Sequence, residues 1–317
     1  MNFFEPLVEQ HHAIELLTAA VAQKRIAPAY LFAGADGVGR SLAARCFIEF
    51  LFCQDIPDGK VASVQTKLHK RNHPDVLWVE PTYLHNGQRL SATEAAAAGV
   101  KRKAPPQIRL EQIREIAQFL SRPPLEASRS IVVIEQAEAM AEAAANGLLK
   151  TLEEPGQATL ILIAPSESSL LPTLVSRVAR IPFYRLTLKA MAQVLQQNGF
   201  EDILSHKEVL AIAAGSPGEA IASMQQLQAI PPELLGELIQ VNKSPRNALE
   251  LARKIDKSLD TEAQLWLVDY LQYSWWQQTR QPRVCTLLEK ARQYLLSYAQ
   301  PRLVWEVTLL EMIQAAA

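Results

Sequence analysis

A glycine-containing loop between a short apolar run and a helical segment constrains the fold of this chain more than any other feature. Residues 34–41, with the sequence GADGVGRS, follow the strand-like run Tyr30–Phe32 and precede the helix-like run Leu42–Leu51. The pattern is close to G-x-x-x-x-G-K-[ST], in which backbone N–H groups and a helix N-terminus surround phosphate oxygens. This loop therefore supplies candidate nucleotide-binding residues, namely Gly34, Gly37, Gly39, Arg40 and Ser41.

The residues that would complete a nucleotide-hydrolysing site are altered. Arg40 stands where the motif has Lys, and a planar guanidinium is not a conservative replacement for a compact ammonium. Hydrolysis also requires an acid at the end of a neighbouring strand to hold Mg²⁺, and an adjacent Glu to activate water. After the strand-like run Ile131–Ile134, Glu135 could still hold a metal ion, but Gln136 cannot take a proton from water. We predict no intrinsic hydrolysis; two alternatives stay open, weak ATP or ADP binding and a loop that is only a structural turn.

Apolar runs of strand length recur through the first part of the chain, with helical segments between most of them. Several have apolar residues at consecutive positions, which is typical of strands buried on both faces of a parallel sheet. The alternation predicts a doubly wound α/β domain over residues 1–185. Its expected strands are Tyr30–Phe32, Val76–Val79, Ile131–Ile134, Thr159–Ala164 and Ala179–Phe183.

Residues 82–107 interrupt this alternation. They combine Asn86-Gly87, a run of alanines, the basic triplet at 101–103 and Pro105-Pro106, with mixed polarity and no firm period. We predict a surface insertion without an assigned helix or strand, whose basic triplet is a solvated loop rather than a nucleic-acid contact.

No strand-like run follows Phe183. Residues 186–229 predict a small domain of short helices, punctuated by Gly199 and Gly215, and residues 230–317 predict a second helical domain. Aromatic and leucine residues keep roughly helical spacing there. We expect these side chains in the core or between helices: Trp266, Tyr270, Tyr273, Trp276, Leu288, Tyr294, Leu295 and Trp305.

Composition narrows the class of protein. The 317 residues suit two or three domains. The net charge of -1 argues against binding nucleic acid through bulk charge alone. Three cysteines without a pattern fit a reducing compartment. We identify no signal peptide and no apolar stretch long enough to span a membrane, so we expect the protein in the cytoplasm.

Two strings carry a specific resemblance. Residues 145–155, ANGLLKTLEEP, closely resemble the L-L-K-T-L-E-E-P signature of bacterial DNA polymerase III clamp-loader subunits, a family of the AAA+ superfamily, and residues 174–178, LVSRV, resemble its S-R-C motif. Glu153 and Glu154 lie at a predicted helix C-terminus, where the macrodipole disfavours negative charge. Weaker matches extend the resemblance over residues 5–220: Val8-Glu9-Gln10, Arg25–Phe32, His73-Pro74-Asp75 and Gln107–Arg114.

The resemblance implies an AAA+ phosphate-loop domain with a parallel sheet (residues 1–185), a helical lid domain (186–229) and a helical collar domain (230–317). It implies that Arg177, beside Ser176, is an arginine finger that acts in trans on a neighbouring subunit's γ-phosphate. The implied partners are ATPase motor subunits and a delta-type subunit in a hetero-pentameric ring, and through the ring the sliding clamp and primed DNA. The chain would then be a component of the DNA polymerase III holoenzyme in DNA replication.

The departures from the motor subunits resemble the delta-prime type, which does not hydrolyse ATP. Besides the changes at Arg40 and Gln136, the lid position at residues 215–220 carries no Arg. The alternatives are a motor subunit or other AAA+ ATPase with atypical catalytic residues, and a phosphate-loop enzyme of another class, such as a small-molecule kinase. Intrinsic ATPase activity separates the first two hypotheses.

Metal and cofactor requirements are expected to be absent. The family often carries a four-Cys zinc module, but the paired C-x-x-C is missing here. The remaining candidates, Cys46, Cys53, His69 and His73, have irregular spacing for a zinc site. We expect the two cysteines to be buried apolar residues and His73 to be a structural loop residue.

Overall fold

The computed structural model describes residues 3–54, 56–98, 105–154, 156–239 and 244–316. The chain forms two compact units, Met1–Leu186 and Thr187–Ala317. The division of the second unit into a lid (186–229) and a collar (230–317) stays a prediction. Across the described ranges, the length and hydropathy needed to cross a membrane are not met by any helix.

The first unit contains a five-stranded parallel sheet. Its strands, in chain order and with those of a separate hairpin included, are β1 Ala29–Ala33, β2 Val76–Val79, β3 Tyr83–His85, β4 Gln88–Leu90, β5 Ser130–Ile134, β6 Ala158–Ala164 and β7 Ala179–Pro182. The sheet has the order β2-β5-β6-β1-β7, and every pairing within it is parallel. All five predicted strands are confirmed.

Helices cover this sheet. They are α1 His11–Ala22, α2 Arg40–Cys53, α3 Asp58–His69, α4 Ala92–Ala97, α5 Leu110–Leu120, α6 Glu142–Glu153 and α7 Pro172–Val175. Every residue of β1, β5 and β6 is buried, because helices exclude water from both faces of a parallel sheet. The carboxyl ends of parallel strands lie at one edge, so the loops after β1 and β5 emerge at the same edge of the sheet, with β6 between the two strands.

The insertion at residues 82–107 contains more regular structure than its sequence predicts. β3 and β4 form an antiparallel hairpin, whose turn residues Asn86 and Gly87 have φ of 50° and 80°. These positive values are typical of a type I′ turn, for which Asn-Gly is the preferred pair. Helix α4 follows, and backbone hydrogen bonds between Thr82 and Gln107 of 3.0 and 3.1 Å close the base of the insertion. The basic triplet at 101–103 lies outside the described residues.

The second unit is helical, as predicted. Its α-helices among the described residues are α8 Leu188–Gln197, α9 Lys207–Ala213, α10 Pro217–Ala229, α11 Pro232–Ile239, α12 Pro245–Ser258, α13 Thr261–Thr279, α14 Pro282–Leu296 and α15 Pro301–Ala316. Trp305 is fully buried, and its indole N–H donates to Gln264 Oε1 at 2.9 Å.

The expected packing of the aromatic residues is partly wrong. Trp266 and Tyr270 are buried, but Trp276 is 39% exposed and Tyr294 is 55% exposed. Trp275, one position before Trp276, is the buried member of that pair. Roughly helical spacing does not fix which of two adjacent tryptophans faces the core, because one residue corresponds to a rotation of about 100°.

Candidate functional site

The loop between β1 and α2 has the conformation that its glycines predict. A Cβ at Gly34 would lie 2.5 Å from the carbonyl oxygen of Phe183, so only glycine fits without a shift. Gly37 and Gly39 have φ of 72° and 101°, in the region that disfavours other residues. Helix α2 begins directly after Gly39, and its N-terminus is the part of the loop suited to an anion.

Arg40 is folded back onto its own loop. The side chain is buried, and its guanidinium forms an ion pair with the carboxylate of Asp36, four residues earlier. The second terminal nitrogen, Nη1, is buried without a hydrogen-bond acceptor among the described residues. The replacement of Lys therefore leaves a positive charge at the loop, but one of the two terminal nitrogens is directed at an acid of the same loop.

The acid at the end of β5 and the hydroxyl of the loop lie close together. Ser41 Oγ lies 3.4 Å from Glu135 Oε2, although the two residues are 94 positions apart in the sequence. Glu135 directly follows β5, whose carboxyl end lies at the same edge as the loop. The two protein groups that hold Mg²⁺ in phosphate-loop enzymes are thus adjacent.

Arg71 also contacts this acid, and the sequence carries no signal for it. Its Nη2 donates to Glu135 Oε1 at 3.0 Å, and its guanidinium carbon lies 4.6 Å from the centroid of the Trp78 ring. Arg71 follows α3, 64 residues before Glu135, with no motif around it. Only the fold shows that the end of α3 lies beside the end of β5.

The residues after Glu135 are not arranged for general base catalysis. Gln136 is exposed, with a φ of 49°, and an amide cannot accept a proton from water. Burial raises the pKa of the Glu138 carboxyl, an effect that nearby Asp36 reinforces and Arg40 opposes. Glu138 Oε2 is buried without a hydrogen-bond partner among the described residues.

Gln10 ties the loop to the sheet. The side chain is buried. Its Nε2 donates to the carbonyl oxygens of Tyr184 at 2.6 Å and of Val38 at 3.4 Å, while its Oε1 accepts from the Tyr184 N–H at 3.1 Å. One amide therefore links the segment before α1, the loop and Tyr184, which lies two residues beyond β7.

Arg177 lies at the surface, outside the loop. It follows α7 and is 39% exposed at its side chain. Its Nη2 and Nε donate to Glu153 Oε1 at 2.9 and 3.2 Å, and its Nη1 donates to the Thr173 carbonyl at 3.0 Å. Ser176 Oγ donates to the same carbonyl at 3.1 Å. Within the described residues, no contact of Arg177 is with the loop.

Glu153 is the last residue of α6, and Pro155, which the sequence predicts to close this helix, lies outside the described residues. Gly147 permits close packing of α6, because a Cβ there would lie 2.9 Å from Leu110 Cδ1 of α5. The helix dipole disfavours the negative charge of Glu153 at the C-terminus of α6, and the guanidinium of Arg177 compensates this charge. The two strings that carry the family resemblance thus meet at one ion pair.

The four candidate zinc ligands have other contacts. Cys46 and Cys53 are buried, and burial raises the pKa of Cys46 to about 11. His69 lies 2.9 Å from Glu49, and His73 Nδ1 accepts the Asp75 N–H at 3.2 Å. Over the part of the chain that the structure describes, no group of three or more potential ligands is assembled. The predicted independence from metal stays a prediction.

Two family models match this chain. The family model described as DNA polymerase III, delta subunit, matches residues 9–187. The model described as Cyanobacterial DNA polymerase III delta prime, C-terminal domain, matches residues 189–312. The latter covers the helical unit, in which the sequence contains no motif of its own.

Two individual relatives of this chain are delta' subunits of DNA polymerase III. The delta' subunit of DNA polymerase III from Bacillus subtilis (strain 168) is 29% identical over 70% of this chain and 59% of that protein. The delta' subunit from Pseudomonas aeruginosa is 32% identical over 60% of this chain and 54% of that protein. The chain therefore spans between half and two thirds of the length of these relatives.

A solved structure supports the fold alone. The crystal structure of a DNA polymerase III, gamma subunit-related protein from Thermotoga maritima has a TM-score of 0.57 at 16% identity, and the match covers 96% of this chain and 100% of that one. This match shows that the two chains share a fold. The two family models show that the chain belongs to the bacterial DNA polymerase III clamp-loader subunits, of the delta-prime type.

Proposed function

We propose that this protein is a clamp-loader subunit that does not hydrolyse ATP and that offers Arg177 to the nucleotide site of a neighbouring ATPase subunit. The observation that carries the proposal is the exposed ion pair between Arg177 and Glu153. The guanidinium is held at the surface by residues of both family strings. An arginine finger acts in this way, from outside the site to which its own chain contributes a loop.

The ion pair suits a finger because it is weak. Both side chains are partly exposed, and exposed ion pairs contribute about 0–1 kcal/mol. Glu153 can orient the guanidinium without competing strongly with a γ-phosphate, which carries more negative charge than a carboxylate. Charge stabilisation of this kind raises phosphoryl-transfer rates by about 10³–10⁵-fold.

Two contacts and one residue type support the absence of hydrolysis in this chain. Arg40 is engaged by Asp36, Glu135 is engaged by Arg71, and Gln136 lacks the proton acceptor that a catalytic Glu provides. No cofactor is required for such a role. We propose that any binding of ATP or ADP at residues 34–41 is weak and has no catalytic consequence.

One observation favours a second candidate, an atypical motor subunit. Ser41 and Glu135 remain 3.4 Å apart, as a metal-binding pair would be. This candidate requires a water-activating group in place of Gln136. Turnover of ATP by the isolated chain distinguishes the two candidates, since only a motor subunit hydrolyses ATP alone.

We place the protein in a hetero-pentameric ring with ATPase motor subunits and a delta-type subunit. Through the ring it would help to load the sliding clamp onto primed DNA in the cytoplasm. The second unit would supply the collar that joins the subunits, because helices with exposed apolar residues such as Trp276 and Leu303 can pack against other helices.

The experiment compares ATP hydrolysis by rings reconstituted with the wild-type chain, with Arg177→Ala and with Arg180→Ala. Arg180 is the matched control, because it is an exposed arginine of the adjacent strand that is paired with Glu167. We expect no turnover by the isolated chain and a slower ring only for Arg177→Ala. An unchanged rate with Arg177→Ala would show that this residue is structural.

A further inference from the structure

Glu135, the acid at the end of β5, already forms an ion pair with a positively charged side chain of this protein. Arg71 Nη2 donates to Glu135 Oε1 at 3.0 Å, while Ser41 Oγ lies 3.4 Å from Glu135 Oε2. In phosphate-loop proteins, the hydroxyl and the acid are the groups that hold a divalent cation. Both oxygens of Glu135 are engaged here, one of them by a guanidinium.

Arg71 is fixed in this position by more than the ion pair. Its backbone has a φ of 52°, and its N–H donates to the carbonyl oxygen of Leu68 at 3.0 Å, at the end of α3. The guanidinium carbon lies 4.6 Å from the centroid of the Trp78 ring, within the range of a cation–π contact. Trp78 belongs to β2, which lies beside β5 in the sheet. The contact with its ring therefore holds the guanidinium of Arg71 next to Glu135.

These residues do not fit Mg²⁺. A divalent cation bound to Glu135 would be separated from the guanidinium of Arg71 only by the width of the carboxylate group. Like charges at such distances repel strongly. Mg²⁺ also demands near-ideal octahedral geometry with oxygen ligands, whereas Glu135 Oε1 already accepts a hydrogen bond from a guanidinium, which cannot itself coordinate a metal ion. A metal ion coordinated by Glu135 Oε1 would have to displace Arg71 from that oxygen.

The loop nevertheless retains features that suit an anion. Gly37 and Gly39 have the positive φ that lets a phosphate loop curl, and a 14-residue helix begins at Arg40. Arg40 is 7% exposed, and its Nη1 has no acceptor among the described residues. A buried donor without an acceptor is destabilising, and a phosphate oxygen in the loop would satisfy it.

We propose that Arg71 takes the place of the divalent cation, so that the loop at residues 34–41 binds a nucleoside diphosphate without a metal ion. Arg71 would then determine specificity, because it selects the metal-free form of the ligand. The inference rests on the proposed loss of hydrolysis, since a catalytic site needs the metal ion that Arg71 excludes.

The test is calorimetric titration of the full chain with ADP, in MgCl₂ and in EDTA. Arg71→Gln removes the charge, Arg71→Lys retains it, and Lys70→Gln is the control, because it removes an exposed positive charge one position earlier. We expect the wild type, Arg71→Lys and Lys70→Gln to bind ADP with the same Kd, within about twofold, in both buffers. Arg71→Gln should bind at least about tenfold more tightly with Mg²⁺ than with EDTA.

Three results would overturn the inference. They are a wild type that needs Mg²⁺ for ADP binding, a folded Arg71→Gln variant that is indifferent to Mg²⁺, and a wild type that binds no ADP in either buffer. The wild-type titrations decide the matter even if Arg71→Gln does not fold. ATP turnover by the isolated wild-type chain is a separate outcome, because it contradicts the proposed loss of hydrolysis rather than the metal-free binding.

Discussion

Glu153 and Arg177 form an ion pair, with Oε1 of the acid 2.9 Å from Nη2 of the arginine. The acid is the last residue of α6, and the arginine lies two residues beyond α7. The pair explains why a helix ends in a residue that its dipole disfavours, since the guanidinium supplies the positive charge that a helix C-terminus prefers. It also joins the two sequence strings through residues that are 24 positions apart.

Removing the acid should hardly affect folding. We expect Glu153→Gln to change the free energy of unfolding by about 1 kcal/mol or less, because the lost ion pair is exposed and the helix terminus loses an unfavourable charge. Urea denaturation of the full chain measures this. A loss of more than about 2 kcal/mol would instead indicate that the pair is a structural element of the domain.

Gly34 should tolerate no larger side chain. Gly34→Ala would place a Cβ 2.5 Å from the carbonyl oxygen and 2.7 Å from the Cβ of Phe183, so the loop or β7 must shift. We expect a loss of about 1–3 kcal/mol in the free energy of unfolding. The control is Gly59→Ala in α3, where a Cβ meets nothing within 4 Å and a helical alanine should stabilise by about 0.5–1 kcal/mol.

Two tryptophans of the second unit should respond differently to substitution. Trp305→Phe removes the donor to Gln264 Oε1, and this buried acceptor is then left without its partner. We expect a loss of about 1–3 kcal/mol in the free energy of unfolding of this unit. Trp276→Phe, at an exposed position, should stay within about 0.5 kcal/mol. Equal losses from the two variants in thermal or urea denaturation would contradict the described packing.

His73 should make the stability of the first unit depend on pH. Burial lowers the pKa of this imidazole below 6.5, an effect that Asp75 and Glu126 partly offset and Lys67 reinforces. The unfolded chain then binds a proton more readily than the folded chain, so the contribution of His73 is full above pH 6.5 and is lost as the pH falls through the lower folded value.

The matched variant is His73→Asn, whose side-chain oxygen can still accept the Asp75 N–H that His73 Nδ1 accepts. Between about pH 7.5 and about pH 5.5, the free energy of unfolding should fall more for the wild type than for the variant. Urea denaturation at both values measures the difference. Equal slopes for the two chains would show that His73 does not contribute to the dependence.

The sheet and the loop could be predicted because their signals are local. Apolar residues at consecutive positions identify β5 and β6 as strands buried on both faces, and the glycines at 37 and 39 permit the positive φ values that the loop adopts there. The adjacency of Ser41 and Glu135 follows from these two facts, because parallel strands present their carboxyl ends at one edge.

Arg71 could not be predicted, because its role depends on where the end of α3 lies in the fold. The hairpin at Asn86-Gly87 is different: Asn-Gly is a strong hairpin signal, but the short, exposed strands around it lack the apolar alternation that would support it. Predicting which of Trp275 and Trp276 is buried requires knowledge of how α13 is rotated about its own axis. That rotation is set by the tertiary packing of the helix.

ATP hydrolysis by the reconstituted ring, stimulated by clamp and primed DNA, tests the central claim most directly. Rings with the wild-type chain, Arg177→Ala or Arg177→Lys are compared after assembly has been confirmed by light scattering. We expect kcat to fall by at least about 10³-fold at any neighbouring site that depends on Arg177, with incomplete rescue by Lys, which lacks the planar fork. An assembled Arg177→Ala ring that hydrolyses ATP at the wild-type rate would contradict the account.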